Sequence, residues 1–304
     1  MSYSFLRESK LYIVYGGNQY RIYTNTAISF SQTFAQDSYP VKTLHNQSKM
    51  FEGATITKAN PVDFSFEVPL TIEKDESPVI DLMSQLNSGQ LTQFDLYVQT
   101  GSAVFKLSNA VITNANMDIN PNNQFTLQLQ GQGTKVERAG DESYSIPGSL
   151  ANESATRTPL LVYPIISIDS LTMSNIMSTT ISIQNDINWT EYGTIQESLN
   201  VTNASNIMRP SKYTVERRTI SGAVRQYQTD NNITQFDDFS TTSNITLKAV
   251  QVGKAADATP FFQVSLSPAS FTARMSVEDV YTQSYDYRSL DNTNTVSDII
   301  TQYS

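Results

Sequence analysis

The sequence predicts a mainly β protein with two tandem antiparallel β-barrel or sandwich domains, each with one α-helix, related by internal duplication. Several segments alternate apolar and polar residues with a period of two, which is typical of strands that bury one face. The order of segments in the first half recurs in the second, which indicates a repeat. Charged residues make up only 16% of the 304 residues, against roughly a quarter in an average soluble domain.

The internal repeat rests on segments that keep their order. Each half opens on an apolar strand, continues with an Ile-Ser-apolar step and a long polar segment, and then returns to strands. The matched ranges are 11–15 with 160–163, 28–30 with 181–183, 31–62 with 184–218, 63–72 with 219–227, and 104–119 with 261–277. The last match runs through Ser-Asn-Ala or Ser-Pro-Ala and reaches Met117 or Met275.

A polar segment separates the two copies. Residues 137–159 lack periodicity and contain Pro147, Gly148 and Pro159, which is typical of a linker. We therefore predict a first domain over residues 1–138, a linker over 139–159 and a second domain over 160–304.

Strand positions follow from the alternation of apolar residues. Pro69 interrupts the first of these segments, and because proline cannot donate to a ladder it should lie at an edge or a bulge. The residues predicted to face a core are Phe64, Phe66, Val68, Leu70, Ile72, Phe125, Leu127, Leu129, Phe262, Val264, Leu266, Phe271, Ala273, Met275 and Val277.

One helix is predicted in each half. Ser77 is a suitable N-cap, Pro78 suits the first helical position, and Gly89 is a natural stop. The second helix begins at Asp230 and is shorter. Their apolar stripes predict that each helix packs on its own domain; the stripes are Val79, Leu82, Met83 and Leu86 in the first, and Ile233, Phe236 and Phe239 in the second.

A search for catalytic chemistry finds none. The chain has no cysteine and one histidine, His45, and no Gly-X-Ser-X-Gly elbow accompanies it. A histidine or cysteine metal site is excluded by these counts. We therefore predict that the protein is not an enzyme, has no catalytic, cofactor-binding or metal residues, and needs no cofactor.

Acidic clusters have structural explanations. Glu73, Asp75 and Glu76 directly precede the first predicted helix, where negative charge favourably meets the helix dipole. Residues 118–123 lack the glycine and terminal glutamate of a calcium loop and are expected to form a hairpin turn. The pairs Asp237-Asp238 and Glu278-Asp279 are interpreted as solvated faces or turns.

Basic and glycine-rich segments do not indicate nucleotide or nucleic-acid binding. Residues 131–135 lack the Walker spacing, so their glycines are expected to end a strand. Arg217-Arg218 is interpreted as an intersubunit or surface contact. With a net charge of −9 and no Lys/Arg run, the chain is unsuited to gripping DNA but suited to letting DNA slide past.

Residues 108–112, 117–119 and 125–136 resemble the closing strands of a tail tube domain of long-tailed bacteriophages. The helix at 77–89 lies where that family has its helix, and the polar segments at 31–62 and 184–218 match its extended hairpin or loop. The second half departs from this pattern at residues 284–288, where Ser-Tyr-Asp-Tyr-Arg stands in place of the glycine pair.

The resemblance implies a structural virion protein that polymerises as stacked trimeric, pseudo-hexameric rings into a tail tube. Six tube domains form a ring, their sheets join edge to edge, and inner strands line a channel for DNA passage during genome ejection. The two long polar segments are expected to reach the next ring, and the inner wall is expected to be net negative, so that DNA passes without specific binding.

The partners implied are other copies of the chain and the tail sheath, tape measure, baseplate and neck proteins. The implied location is the virion tail, assembled in the host cytoplasm. No membrane contact is expected, because no apolar run approaches the ~18 residues of a spanning helix.

Two other functions stay open. A single-ring tube protein at the baseplate or neck, an initiator or terminator, would share the fold. A monomeric β-sandwich adhesin or carbohydrate-binding module would expose aromatic residues in a cleft, and Trp189 and Tyr192 are the candidates.

Overall fold

The computed structural model is mainly β, as predicted, and contains one short helix, α1 Ser77–Ser84, in its described part. The described residues are 9–26, 28–41, 51–84, 86–87, 90–151, 153–169, 171, 173–190, 209–210, 212–232, 242–277, 280–290 and 299–300. The first-half strands are β1 Lys10–Tyr15, β2 Asn18–Ile22, β3 Ser29–Ser31, β4 Phe34–Val41, β5 Phe51–Ala59, β6 Val62–Pro69, β7 Leu86–Asn87, β8 Gln90–Leu91, β9 Phe94–Gln99, β10 Val104–Ile119, β11 Thr126–Gly133 and β12 Lys135–Gly140. The remaining strands are β13 Ser149–Leu150, β14 Val162–Ile168, β15 Ile176–Thr190, β16 Lys212–Tyr227, β17 Thr242–Gln251, β18 Phe262–Val277, β19 Tyr281–Ser289 and β20 Ile299–Ile300.

One 16-stranded sheet contains most of these strands. In the first half, the antiparallel neighbours follow the order β1-β9-β10-β11-β6-β3. In the second half, they follow the order β14-β17-β18-β19-β16-β15. The two orders correspond strand by strand.

The two halves join edge to edge within the chain. Residues 114–119 of β10 pair antiparallel with residues 179–184 of β15, so the second half continues the sheet of the first. The sheets are therefore not closed barrels, and the prediction of barrel closure is wrong. The edges of β10 and β15 pair with each other at this junction, so neither is available here to close its own half into a barrel.

The larger of the two hydrophobic clusters in the described residues spans both halves. Phe125 of the first half and Phe261 of the second pack edge to face, with ring centroids 6.4 Å apart. The same cluster contains Val79 and Leu82 of α1 on one side and Val224 of β16 on the other. The halves are thus held by shared packing as well as by strand pairing.

Most alternating positions are buried as predicted. Leu127 and Leu129 of β11 and Phe262, Val264 and Leu266 of β18 all belong to the core. Ile72 lies beyond the end of β6 and is exposed, because the chain has turned there. Ala273 and Met275 are exposed although the pattern predicts them to be buried, because no element of the described chain covers them. Pro69 is the last residue of β6, beyond the stretch that pairs with β3.

The helix begins where predicted and ends early. Ser77 and Pro78 open α1, which packs against β10, but the helix stops at Ser84 rather than Gly89. Leu86 and Asn87 instead form β7, which pairs with β8. The second helix was predicted from Asp230; residues 230–232 form a turn, and residues 233–241 lie outside the described residues.

The polar segments that were expected to form an extended hairpin or loop contain long hairpins. β4 and β5 form a separate two-stranded ribbon that follows on from β3 and β6. β15 and β16 form one hairpin whose paired residues run from Ile176 with Gln226 to Thr190 with Lys212. The segment 184–218 is therefore strand at both of its described ends.

Candidate assembly surfaces

The sheet that joins the two halves has one polar side, here called the polar face. Its residues lie opposite one another across strands β3, β6, β11, β15, β16 and β19 and the C-terminal parts of β10 and β18. Because side chains alternate along a strand, the intervening residues form the core. The members are Ser29, Ser31, Asp63, Ser65, Glu67, Asn114, Asn116, Asp118, Thr126, Gln128, Gln130, Gln132, Thr180, Ser182, Gln184, Thr219, Ser221, Ala223, Arg225, Ser270, Thr272, Arg274, Ser284, Asp286 and Arg288.

Rows of paired residues cross the polar face without a break between the halves. One such row is Glu67, Gln128, Asn116, Ser182, Ser221, Arg288 and Ser270. Most members carry an amide or a hydroxyl group, which can hydrogen-bond to water, and one pocket on this face is lined by Ser29, Ser31, Asp63, Ser65, Gln130 and Gln132. The surface is therefore a hydrated wall shared by both halves.

Charge on the polar face is nearly balanced. The carboxylates belong to Asp63, Glu67, Asp118 and Asp286, and the guanidinium groups belong to Arg225, Arg274 and Arg288. Arg274 lies 3.4 Å from Asp286 in an exposed ion pair. The other three carboxylates, those of Asp63, Glu67 and Asp118, belong to the first half, so the acidic character lies mainly there.

The β15–β16 hairpin is anchored on the first half by specific hydrogen bonds. Asn185 donates to the carbonyl of Ile112 at 3.1 Å, and the Tyr213 hydroxyl donates to the carbonyl of Leu91 at 2.7 Å. Both Asn185 and Tyr213 are buried. Sequence reasoning missed these anchors, because their partners lie far away along the chain.

Trp189 and Arg218, which the sequence analysis singled out, also lie at this junction between the halves. Trp189 packs on Tyr213 with ring centroids 5.2 Å apart and donates to the side-chain oxygen of Gln132 at 2.9 Å. It is half-buried. Arg218 is buried and donates to the carbonyl of Met83 at 3.2 Å, so its interpretation as a surface contact is wrong. Arg217 is exposed and pairs with Asp186 at 2.8 Å.

The acidic cluster before α1 binds the segment between the two halves. Glu73 accepts bonds from the backbone and hydroxyl of Thr158 at 2.8 and 2.7 Å. Asp75 accepts bonds from Ser154, and Arg157 lies 3.3 Å from Asp75 and 3.0 Å from Glu76. The helix-dipole interpretation is therefore incomplete, because this cluster mainly fixes the course of residues 154–158.

The ionisation of this cluster follows its surroundings. Hydrogen bonds from Thr158 hold the pKa of the Glu73 carboxyl below its usual value. Burial raises the pKa of Glu76, against the opposing effects of its bonds from Thr71 and the charge of Arg157. The Arg157 guanidinium also stacks on the Tyr23 ring at 3.6 Å, so this arginine ties the linker to two parts of the first half.

Several other predicted features can now be located. Residues 120–123 form the expected turn between β10 and β11, with the Asn122 amide bonded to the Asn120 side chain. The glycines of residues 131–135 end β11 as predicted, and Gly131 packs so closely that an added Cβ would lie 2.2 Å from the Val111 carbonyl oxygen. Outside the described residues lie His45, Tyr192, Asp237, Asp238, Glu278 and Asp279.

Within the described ranges, no helix is long and apolar enough to cross a membrane. The same residues contain no group of three or more His, Cys, Asp or Glu side chains suited to a metal ion. What the described chain does present is a polar wall, two long hairpins and unpaired strand edges. These features are typical of a structural protein that acts by assembly.

A comparison with protein families matches residues 1–303 to the Bacteriophage Baseplate Tube Protein Family. The match covers nearly the whole chain, so the chain belongs to this family. It is a structural phage tube protein and a component of the virion. Membership implies self-assembly into a tube and contact with other tail or baseplate proteins. A search of the curated proteins finds no match.

Proposed function

We propose that three copies of this chain form a pseudo-hexameric ring, that rings stack into a tube, and that the polar face lines the channel through which DNA passes. The observation that carries the proposal is the edge-to-edge junction between β10 and β15. This junction continues one sheet from the first half of the chain to the second, and a closed ring needs the same kind of continuation between neighbouring chains.

Internal duplication is part of this proposal. The strand order β1-β9-β10-β11-β6-β3 corresponds to β14-β17-β18-β19-β16-β15, and the chain positions of the paired strands also correspond. The two hairpins match as well, since β3 with β4 corresponds to β15 and β5 with β6 corresponds to β16. With domains at 1–138 and 160–304 and a linker between them, three chains supply six similar units.

The composition of the polar face supports a channel role. Amide and hydroxyl groups dominate, and carboxylates exceed guanidinium groups by only one. A wall without a basic stripe releases few counterions from DNA, so it binds the duplex weakly and permits sliding. With the polar face as the inner wall, the net negative charge expected from the sequence amounts to one excess carboxylate, and three of the four carboxylates belong to the first half.

A second candidate is a single ring at the baseplate, which the family description favours. Electron microscopy of the purified protein distinguishes the two. Long tubes with a ring repeat are expected for the stacked tube, and isolated rings would support the baseplate ring instead. A protein that stays monomeric over the concentrations used would contradict both.

Contacts with a tail sheath, tape measure or neck protein, and assembly in the host cytoplasm, follow as further parts of the proposal. The hairpin ribbons formed by β4–β5 and β15–β16 are proposed to reach the adjacent ring. A role in catalysis is not proposed, since the described surfaces contain no constellation of reactive groups.

A further inference from the structure

The second half has an open strand edge at the position where the first half is paired. Residues 111–117 of β10 pair with β11 on one side, and residues 114–119 pair with β15 on the other. Residues 269–277 of β18 pair with β19 in the same way. On the opposite side, beyond Ser270, no strand of the described chain pairs with β18.

Burial differs between the two halves at this edge. Met117 and Ile119 of β10 are 3% and 0% exposed, and β15 pairs along this stretch. In β18, Ala273 and Met275 belong to the same apolar alternation, yet Ala273 is exposed and Met275 is 41% exposed. Val280 and Tyr281 at the following turn are also exposed, with fractions of 52% and 56%. An exposed apolar strip along an open edge is typical of an interface.

The first half has the complementary edge. β3 corresponds to β15 and pairs with β6, but among the described strands it has no partner on its other side. Ser29 is exposed, and its neighbour Ile28 is 9% exposed and faces the core. β3 therefore offers the same alternation of a polar and an apolar side that β15 offers to β10.

We propose that residues 28–30, at the start of β3 in one copy, pair antiparallel with residues 271–273 of β18 in the next copy, repeating the β10–β15 junction between chains. The occupant of the open edge is thus a second copy of this chain. The inference rests on the proposed ring and adds which edges meet and in what register.

The register follows from matched rows of the ladder. The row through Ser29 passes through Ser65 and Gln130 to Asn114. The row through Ser182 passes through Ser221 and Arg288 to Ser270. Ser29 matches Ser182 in the repeat of residues 28–30 with 181–183. Asn114, at the end of the first row, is therefore equivalent to Ser270, at the end of the second.

Two pairs further along, Asn116 faces Ser182 and corresponds to Thr272. Ser29 of one copy should accordingly face Thr272 of the next, with Ile28 beside Ala273 on the core side. The polar face then continues from chain to chain around the ring.

Cysteine cross-linking tests this register directly, because the chain contains no cysteine. The double variant Ser29→Cys with Thr272→Cys is oxidised after assembly and run on a non-reducing gel. Directly opposed residues in an antiparallel pair are close enough for a disulfide. We expect covalent dimers and trimers that disappear on reduction.

Two further pairs serve as controls. Asn116→Cys with Ser182→Cys occupies the equivalent positions inside the chain and should cross-link without any increase in chain number. Ser29→Cys with Gln128→Cys places the second cysteine on the same face but in mid-sheet, where no neighbouring copy should reach. It should give no covalent multimers.

The outcomes separate this inference from the ring proposal. Tubes or rings seen by microscopy without a Ser29–Thr272 cross-link would contradict the inferred joint and leave the tube function standing. Cross-linking to Arg274→Cys in place of Thr272→Cys would contradict the register. Covalent trimers without tubes would support the joint and contradict stacking, and a monomer without cross-links would contradict both.

Discussion

At the scale of single residues, the attachment of the linker to the first half is the most specific feature of the chain. Arg157 contacts two carboxylates and an aromatic ring, and the Glu76 carboxylate that it meets is 1% exposed. When a buried carboxylate loses its cationic partner, the free-energy cost of removing it from water remains, while the attraction that offset this cost is reduced. Arg157 is therefore the residue on which the course of the linker depends most.

Replacing Arg157 with alanine should lower the free energy of unfolding by about 2 kcal/mol, which is typical when a buried charged group loses a partner. Thr71 still bonds to Glu76 and limits the loss. Chemical denaturation measures the change, and limited proteolysis should show faster cleavage between residues 141 and 158. The exposed Arg138→Ala variant is the control and should be close to wild type. Equal stability of the two variants would contradict the role given to Arg157.

The bonds from Thr158 to Glu73 predict a pH dependence. Because they lower the pKa of Glu73 in the folded chain, their stabilising effect is present above the ordinary value of 4.5 and is lost as the pH falls through the folded pKa. Thr158→Val removes the hydroxyl bond and keeps the backbone bond, so an NMR titration should find the pKa of Glu73 raised toward 4.5. Wild type and variant should differ in stability at neutral pH and converge in acid.

Ser143→Ala is the matched control for this titration. Ser143 bonds to Asp141 and lowers the pKa of that carboxyl, so its removal should move Asp141 and leave Glu73 unchanged. An unchanged pKa for Glu73 in Thr158→Val would show that the hydroxyl bond does not form in solution.

Sequence patterns explain part of these residue-scale features. The position of Glu73, Asp75 and Glu76 beside a helix start was evident from the chain. Their binding to residues 154–158 was not, because the partners are about 80 residues apart and carry no periodic signal. Arg218 was misjudged for the same reason, since its acceptor is the carbonyl of Met83.

At the scale of elements, the two long hairpins lie in the polar segments, where an extended hairpin or loop was expected and no strand positions were predicted. β15 and β16 alternate Ile or Val with Ser, Thr and Gln, so their hydrophobic signal is weak. One side of these strands belongs to the polar face, which explains why a polar segment forms strands. Strands β6, β11 and β18 were predictable, because each contains consecutive large apolar residues on its core side.

Deleting residues 35–60 and joining the ends with a short glycine-serine linker tests the role of the β4–β5 ribbon. The ribbon is separate from the main sheet, and β3 and β6 remain in the shortened chain. We expect the variant to fold and form rings but not to stack, since the ribbon is proposed to contact the next ring. Electron microscopy measures the outcome. Tubes of normal length from this variant would contradict the assignment of ring-to-ring contacts to the ribbon.

At the scale of the whole molecule, one chain contains a complete example of the contact proposed between chains. The β10–β15 junction shows how two halves continue a sheet, and the open edges of β3 and β18 are where the next such junction would form. That the two units arose by internal duplication stays a prediction. Barrel closure was wrong because the same strand edges can be paired either within a half or between halves, and local patterns do not distinguish these pairings.

The central claim is that three two-domain chains close into one ring. The most direct test is electron cryo-microscopy of the assembled protein, with the number of chains per ring counted from the density and checked by native mass spectrometry. The account predicts three chains per ring, with six similar sheet units around the channel and the polar face on its inner wall. Six chains per ring, or a channel lined by another surface, would contradict it.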